Sequence, residues 1–452
     1  MCIRDSLDSV SGQIATHYER AGLLDQAIIY YQRAASTAQR VYANDDVIGL
    51  LTRGLSLLEQ LPQDEGRDRR ELSMLLQLAP IYRVTRGWTA PELERVVYRT
   101  LDLCDTVGDD ALRAETLDGM QSLLIVQAQL ARMETVAAEV RDLYQRSHDV
   151  PPPLSGMYLA GAHLHRGRFV ESNRAFARMI AEHGEPQPEN LQQTQGWNPA
   201  ILSRAWQSHA LWCLGYPRQA LDRGAEAERL AGDLAVPFNQ ALASAYRALL
   251  LQVSAEAPAA REAAEEALRL AVEFKAPYYR VWSAILVQFA RAREQPSERS
   301  VADLRVAIAE FRATGARLRL PYYCWLLACA LRQIDLPDAG LAAIQEGLAA
   351  AEAGDERWWD AELHRTRGEL MLACGMAVDD VEAALAQAAR VARAQEARSL
   401  ELRAALSLAR LWQREHRAAD ARRTLREAYA WFTEGHDTPD LRAARLVLAE
   451  LR

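Results

Sequence analysis

The sequence predicts an all-α protein, a right-handed solenoid of stacked helix pairs, and three observations carry that prediction. Ala, Leu, Arg and Glu dominate the 452 residues, and these are strong helix formers. Runs of Val, Ile and Thr of the kind strands use are nearly absent. A pattern of small, aromatic and glycine residues at helical spacing then returns along the whole chain, as stacked repeats require.

The first copy shows the logic. Ile14, Ala15 and Tyr18 share one helical face at spacings of three and four. Gly22 permits the tight turn after that helix. Leu24 follows, and Ala27 is small enough for the second helix to approach the first closely. Ile28, Tyr31 and Ala34 continue the same face. This is the tetratricopeptide pattern. Looser copies run from Leu159, Ala160 and His163 to Gly167, Phe169 and Phe176. Another runs from Leu211 to Gly215, Tyr216, Pro217 and Ala220, and Gly87 follows Tyr82 in a fourth.

The second half repeats a different landmark, the start of each first helix. Pro237-Phe238, Pro277-Tyr278-Tyr279, Pro321-Tyr322-Tyr323, Arg357-Trp358-Trp359 and Arg398-Ser399-Leu400 are equivalent points, spaced by 40, 44, 36 and 41 residues. That exceeds the roughly 34 residues of a standard tetratricopeptide unit and overlaps the HEAT range. The glycine turn and the Ala/aromatic spacing favour tetratricopeptide-like pairs with lengthened helices, a period of about 40 residues and ten or eleven pairs. Proline at the landmark suits a first helical turn, where its missing N–H costs nothing. Residues 7–150 then form N-terminal repeats, 151–200 a repeat with Pro-rich loops, and 201–452 C-terminal repeats. The loops at Pro151-Pro152-Pro153 and Glu185–Pro199 are either joints between sub-arrays or plain longer loops. Thr438 is expected to cap a terminal helix with Pro439 at its first position.

Composition excludes several functions. The net charge of −8 lacks the basic balance that phosphate-backbone binding needs, so no nucleic acid is expected as a partner. No run of 18 apolar residues exists, so no membrane span is expected, and the cytoplasm is the expected location. A Walker-type phosphate loop needs Gly-Lys-Ser/Thr. The only lysine, Lys275, follows Phe274 with no glycine near. His163 and His165 diverge by about 200° on a helix and cannot share one ion. Neither H-E-x-x-H nor a C-x-x-C pair occurs among the nine histidines and six cysteines, and G-x-S-x-G is absent. The cysteines read as small buried hydrophobes. The acidic pairs Asp45-Asp46, Asp109-Asp110 and Asp379-Asp380 read as helix starts, where negative charge suits free N–H groups. No catalytic, metal or cofactor site is expected, and the chain by itself is not expected to be an enzyme.

The aromatic doublets remain. Adjacent helical residues point about 100° apart, so one member of each can enter a pair's core while the other faces the next pair or the groove. Tyr278, Tyr279, Tyr322, Tyr323, Trp358 and Trp359, with His364 and Arg365 further along, are the candidate protein-binding residues, since Trp, Tyr and Arg dominate interface hot spots. The expected partner is a protein or peptide lying in the concave groove of the solenoid.

Several stretches resemble one known family. They are Gly215-Tyr216-Pro217-Arg218-Gln219-Ala220-Leu221, Arg357-Trp358-Trp359-Asp360-Ala361-Glu362-Leu363-His364-Arg365, Leu402 to Trp412, and Trp431-Phe432-Thr433-Glu434-Gly435-His436-Asp437-Thr438-Pro439-Asp440-Leu441. They are similar to the helical repeats of bacterial signalling proteins in which an adenylate/guanylate cyclase or other effector precedes a STAND/AAA-type ATPase and then the repeats. The resemblance implies a sensor or scaffold region that restrains or releases upstream ATPase or cyclase domains. The family's ATP-binding and cyclase residues lie upstream of its repeats, so none maps onto this chain. The resemblance leaves open the tail of an ATP-dependent transcription regulator, or a subunit of an enzyme whose catalytic domains are elsewhere. The opening Met1-Cys2-Ile3-Arg4-Asp5-Ser6, back-translated as ATG TGT ATA AGA GAC AG, matches the end of a transposase sequencing adapter. Residues 1–6 are therefore expected to be a translated artefact ahead of a truncated natural chain.

Overall fold

The structure is a computed structural model, and it describes residues 3–41, 43–147, 153–183, 198–254 and 256–451. Met1 and Cys2 of the adapter reading, Pro151-Pro152 and most of the 185–199 loop lie outside the described residues. The described residues form twenty-two helices and no strand. The chain divides into two compact units, residues 1–123 with 138–150, and residues 124–137 with 151–452.

The chain begins with α1 (Ile3–Arg20), α2 (Leu24–Arg40), α3 (Asn44–Leu58), α4 (Glu65–Thr85), α5 (Pro91–Val107), α6 (Asp110–Val126) and α7 (Leu130–Ser147). Gly22 adopts φ +73° and turns α1 into α2, as the first repeat predicts. Ala27 and Ile28 are fully buried and Tyr31 nearly so. Their cluster includes Ala15, Leu51, Leu58, Leu72 and Leu78. The acidic pairs sit where helix starts need them. Asp45 and Asp46 lie in the first turn of α3, and the Asp109 carboxylate accepts the Leu112 N–H at 3.0 Å. Asp64 caps α4 by accepting the Arg67 N–H at 2.7 Å.

The second unit continues with α8 (Pro153–His165), α9 (Phe169–His183), α10 (Pro199–Cys213), α11 (Pro217–Leu234), α12 (Pro237–Ser254), α13 (Ala257–Glu273) and α14 (Pro277–Glu294). It ends with α15 (Glu298–Ala313), α16 (Leu320–Gln333), α17 (Pro337–Gly354), α18 (Asp360–Ala373), α19 (Val378–Ala394), α20 (Arg398–Arg414), α21 (Ala418–Ala430) and α22 (Pro439–Glu450). Consecutive helices pair as α8/α9, α10/α11, α12/α13, α14/α15, α16/α17, α18/α19 and α20/α21. The first helix of each pair touches the first helix of the next, the arrangement of a solenoid.

The two members of a pair differ in burial. In α10, 13 of 15 residues are buried, every one from Ile201 to Cys213. In its partner α11 only Pro217, Ala220, Gly224, Ala227 and Ala231 are buried. A helix covered all round lies inside, and one with a single buried stripe lies outside. First helices therefore form an inner layer and second helices an outer one.

The landmarks fall at the inner helix starts. Pro237 and Pro277 open α12 and α14, Pro321 is the second residue of α16, and Arg398 opens α20. Arg357 differs, because α18 begins only at Asp360. Trp358 and Trp359 thus lie in the turn before the helix, and the 100° divergence expected of helical neighbours does not apply to them. Their rings lie 4.8 Å apart. At the C-terminal end, Thr438 precedes Pro439 of α22 as expected, but its hydroxyl donates back to the Gly435 carbonyl at 2.7 Å. It makes no side-chain cap.

Candidate functional site

The inner helices of the second unit, the turn before α18 and Phe311 of α15 bring aromatic residues into one lattice. Tyr278 packs on Phe311 at 6.0 Å and Tyr279 on Phe238 at 5.6 Å. Tyr322 meets Trp358 at 5.5 Å and Trp359 at 5.2 Å. Tyr323 meets Phe311 at 4.9 Å. Trp359 also packs on Trp325 at 5.1 Å and stacks on Trp212 at 6.0 Å. Most contacts are tilted or edge-to-face, each adding about 0.5–1.5 kcal/mol beyond area burial. All six aromatic candidates are under cover: Tyr322, Tyr323 and Trp359 are fully buried, and Tyr278, at 6% exposure, is the most open.

The reason is that the array touches itself one turn on. The Val126 carbonyl, at the end of α6, accepts N–H groups from Arg317 at 2.9 Å and Leu318 at 3.0 Å. The His165 carbonyl, at the end of α8, accepts Arg357 at 2.7 Å and Trp358 at 3.0 Å. Near the end of α10 the Trp212 carbonyl accepts the Ser399 hydroxyl at 2.5 Å, across 187 residues. The last carbonyls of a helix have no partner within it and carry the negative end of its dipole. For Val126 and His165 the donors come from the turn before an inner helix, and for Trp212 from a side chain in the first turn of α20. In this state the face expected to be a concave groove is the inside of a core.

A charged hub sits within it. Arg319 is 2% exposed with φ +70°. Its guanidinium lies 4.5 Å over the Trp282 ring and 5.2 Å over Tyr246, a cation–π pair of contacts. Nη2 donates to the Tyr246 hydroxyl at 3.3 Å, and Nη1 has no hydrogen-bond partner. The Arg319 backbone N–H donates to both Glu356 carboxylate oxygens at 2.9 Å. The Trp358 indole N–H donates to the same carboxylate at 2.7 Å. Burial pushes Glu356 up to about 7 despite these donors. Burial, with the Arg319 charge added, holds His209 down at about 3 and His165 well below its ordinary value. Both imidazoles are therefore neutral, and each donates one ring N–H to a backbone carbonyl, His209 to Tyr246 at 3.1 Å and His165 to Gly161 at 2.7 Å.

His364 and Arg365 lie on α18, apart from that hub. His364 is half-buried. Arg365 grips Glu362 through two bonds of 2.6 and 2.9 Å, and it also reaches Glu369 and Ser407. Its fork is occupied within the fold. Burial raises the Cys324 and Cys329 thiols to about 12, far from the low values of nucleophilic thiols. Among the described residues no three His, Cys, Asp or Glu side chains group as metal ligands. No helix there is long and apolar enough to cross a membrane.

Sequence reasoning found the doublets and missed Arg319, Glu356, His165, His209, Trp206, Trp212 and Tyr246. One available signal was the inner helices themselves. Leu320-Pro321-Tyr322-Tyr323-Cys324-Trp325-Leu326-Leu327 has no polar face, which calls for cover on every side.

No family model matches the chain. An uncharacterised protein of Rhizobium meliloti (strain 1021) is 23% identical over 419 residues, covering 89% of this chain and 39% of that protein. The chain thus spans about two fifths of the length of this relative. Among solved structures it is similar to the APC/C hetero-tetramer Cut9–Hcn1, with a TM-score of 0.52 at 12% identity over 98% of this chain and 76% of that one. It is also similar to the Rap protein complexed with competence and sporulation factor, with a TM-score of 0.45 at 11% identity over 94% and 99%. A STAND protein with a tetratricopeptide repeat sensor from Pyrococcus horikoshii gives a TM-score of 0.38 at 11% identity over 95% and 74%. The likeness to Cut9–Hcn1 agrees with the helices: the chain is an all-α, tetratricopeptide-like solenoid.

Proposed function

We propose that this chain is a non-catalytic, protein-binding repeat region, the sensor or scaffold of a larger bacterial signalling ATPase or nucleotide cyclase. The supporting observation is the Rhizobium relative, in which a matching region makes up 39% of a longer chain. The resemblance of the 215–221, 357–365 and 431–441 stretches to repeats that follow a cyclase and an ATPase agrees with it. The partner is a protein or peptide. Tyr278, Tyr279, Tyr322, Tyr323, Trp358 and Trp359 hold the array closed, and they meet a partner only in a state where the turns part. His364 and Arg365, on α18, are the further candidate contacts.

Two measurements test this reading. The chain alone, titrated with ATP in a calorimeter, is expected to show no binding, because Lys275 has no phosphate-loop context. Stoichiometric ATP binding overturns the non-catalytic reading. The reading frame of the parent gene upstream of the repeats is expected to encode an ATPase, with or without a cyclase. A helix-turn-helix there instead favours the transcription-regulator alternative.

A further inference from the structure

Two of the family-like stretches touch each other. Glu434 Oε1 accepts the backbone N–H groups of Arg218 and Gln219, both at 3.1 Å, across more than 200 residues. Its Oε2 accepts the Gln219 side-chain amide at 3.2 Å. Helix α11 opens on Pro217 and its own N-cap, Tyr216, offers no side-chain cap. Arg218 and Gln219 therefore carry N–H groups with no partner inside the helix, at the positive end of its dipole. Glu434 supplies the missing anion from the far end of the chain. Around it, Gly435 passes so close to Pro217 that a Cβ there would lie 2.3 Å from the proline Cγ. Trp431 packs edge-on against Tyr216 at 5.2 Å. Arg442 pairs with Glu256.

This seam includes the buried Ser399–Trp212 bond, but its rim is more exposed than the other turn-to-turn contacts. The junction at His165 closes on Trp358 and Trp359, which are 3% and 0% exposed. The Glu434 bonds and the Arg442–Glu256 pair are solvent-exposed. Behind them lie both polar and apolar contacts. Arg403 donates to the Val253 carbonyl at 2.5 Å and sits 4.9 Å over Trp212. Leu402, Phe432 and Leu441 face Trp212, Pro217 and Ser254 across a cavity of about 10 Å³, room for one water.

The body beyond the seam has its own core. Leu402, Leu406, Ala421, Leu425, Phe432 and Leu441 belong to a cluster confined to residues 402–451. The opposite face of α20 packs on its chain neighbours α18 and α19 through Ala404, Leu408 and Leu411. Nothing in that cluster comes from α10–α13.

We propose that residues 431–442 form a releasable strap, which latches the folded body α20–α22 onto the start of α11. Release swings that body off α10–α12 without unfolding it and bares Trp212, Trp431 and the first turn of α11. Exposed ionic contacts are worth little individually and weaken in salt, and the terminal body keeps a cluster built from its own residues when Leu402, Phe432 and Leu441 part from Trp212 and Pro217. The strap is thus a regulatory device, and it stands whether or not the upstream partner of the chain is an ATPase.

The test uses the full chain and two variants, Glu434→Ala and Gly435→Val. Residue-resolved hydrogen exchange is expected to speed at least tenfold at the Arg218 and Gln219 amides in both variants. Leu406 and Leu425 should stay as protected as in the unaltered chain, and tryptophan emission should become more quenchable by acrylamide. Unchanged exchange at Arg218 and Gln219 overturns the latch. Lost protection at Leu406 and Leu425 shows that the strap is part of the terminal fold and overturns its release as a unit. Faster amides with unchanged quenching mean only a lost helix cap, and also overturn the proposal.

Discussion

Single residues at the centre of the second unit carry opposing pH dependences. His165 and His209 are held below the ordinary histidine value of 6.5 by burial and by Arg319. An unfolded chain takes up those protons near pH 6.5 while the folded one does not, so their share of stability is present above that pH and lost as pH falls below it. Glu356 has the other sign. Its folded value of about 7 lies above the ordinary 4.5, so its share is present below pH 4.5 and lost as pH rises through 7. Replacing Glu356 with Gln keeps a neutral acceptor there at every pH. Thermal melts are expected to show the variant gaining on the unaltered chain between pH 5 and pH 8, by an amount on the order of 2 kcal/mol. A gap that does not change with pH contradicts the burial of that carboxylate. Trp359 offers a second test at this scale. It is fully buried among Trp212, Tyr322, Trp325 and Trp358, so Trp359→Ala should cost about 3–5 kcal/mol in urea unfolding. Trp412→Ala, at a half-buried site, should cost clearly less.

At the scale of elements, the sequence was legible wherever local chemistry decides. Gly22, Gly87, Gly167 and Gly215 all take positive φ at helix ends, and the prolines at 237, 277 and 439 open helices. Asp64 illustrates how much such a cap contributes: Asp64→Ala removes the acceptor for Arg67 and should lower stability by about 1 kcal/mol, read from the unfolding midpoint. Two expectations met competing local chemistry. Trp358 and Trp359 lie ahead of α18, because the N–H groups of Arg357 and Trp358 are committed to His165. The Thr438 hydroxyl is drawn to the Gly435 carbonyl of the turn before it. A helical spacing rule sees neither partner.

The whole molecule was less legible, because its decisive contacts are remote in sequence. Arg317 and Val126, and Trp358 and His165, join turns of the array through backbone groups, which leave no mark in a residue pattern, and the Ser399 hydroxyl finds the Trp212 carbonyl across 187 residues. The doublets were visible as candidates, yet their cover depends on those joins. The inner helices did carry the warning in their lack of a polar side. A solenoid with an open groove and one closed on an aromatic core have the same repeat signature, and they differ in how tightly the turns approach. Closure of those turns is then a property of the assembled array and of no single repeat.

The most direct test of closure is hydrogen exchange at the amides of Arg317, Leu318, Arg357 and Trp358. Each lies just before an inner helix and finds its acceptor only in Val126 or His165 of the preceding turn. Closed turns predict protection comparable to that of amides within α16. Exchange at the rate of an unstructured chain would show that the turns do not meet.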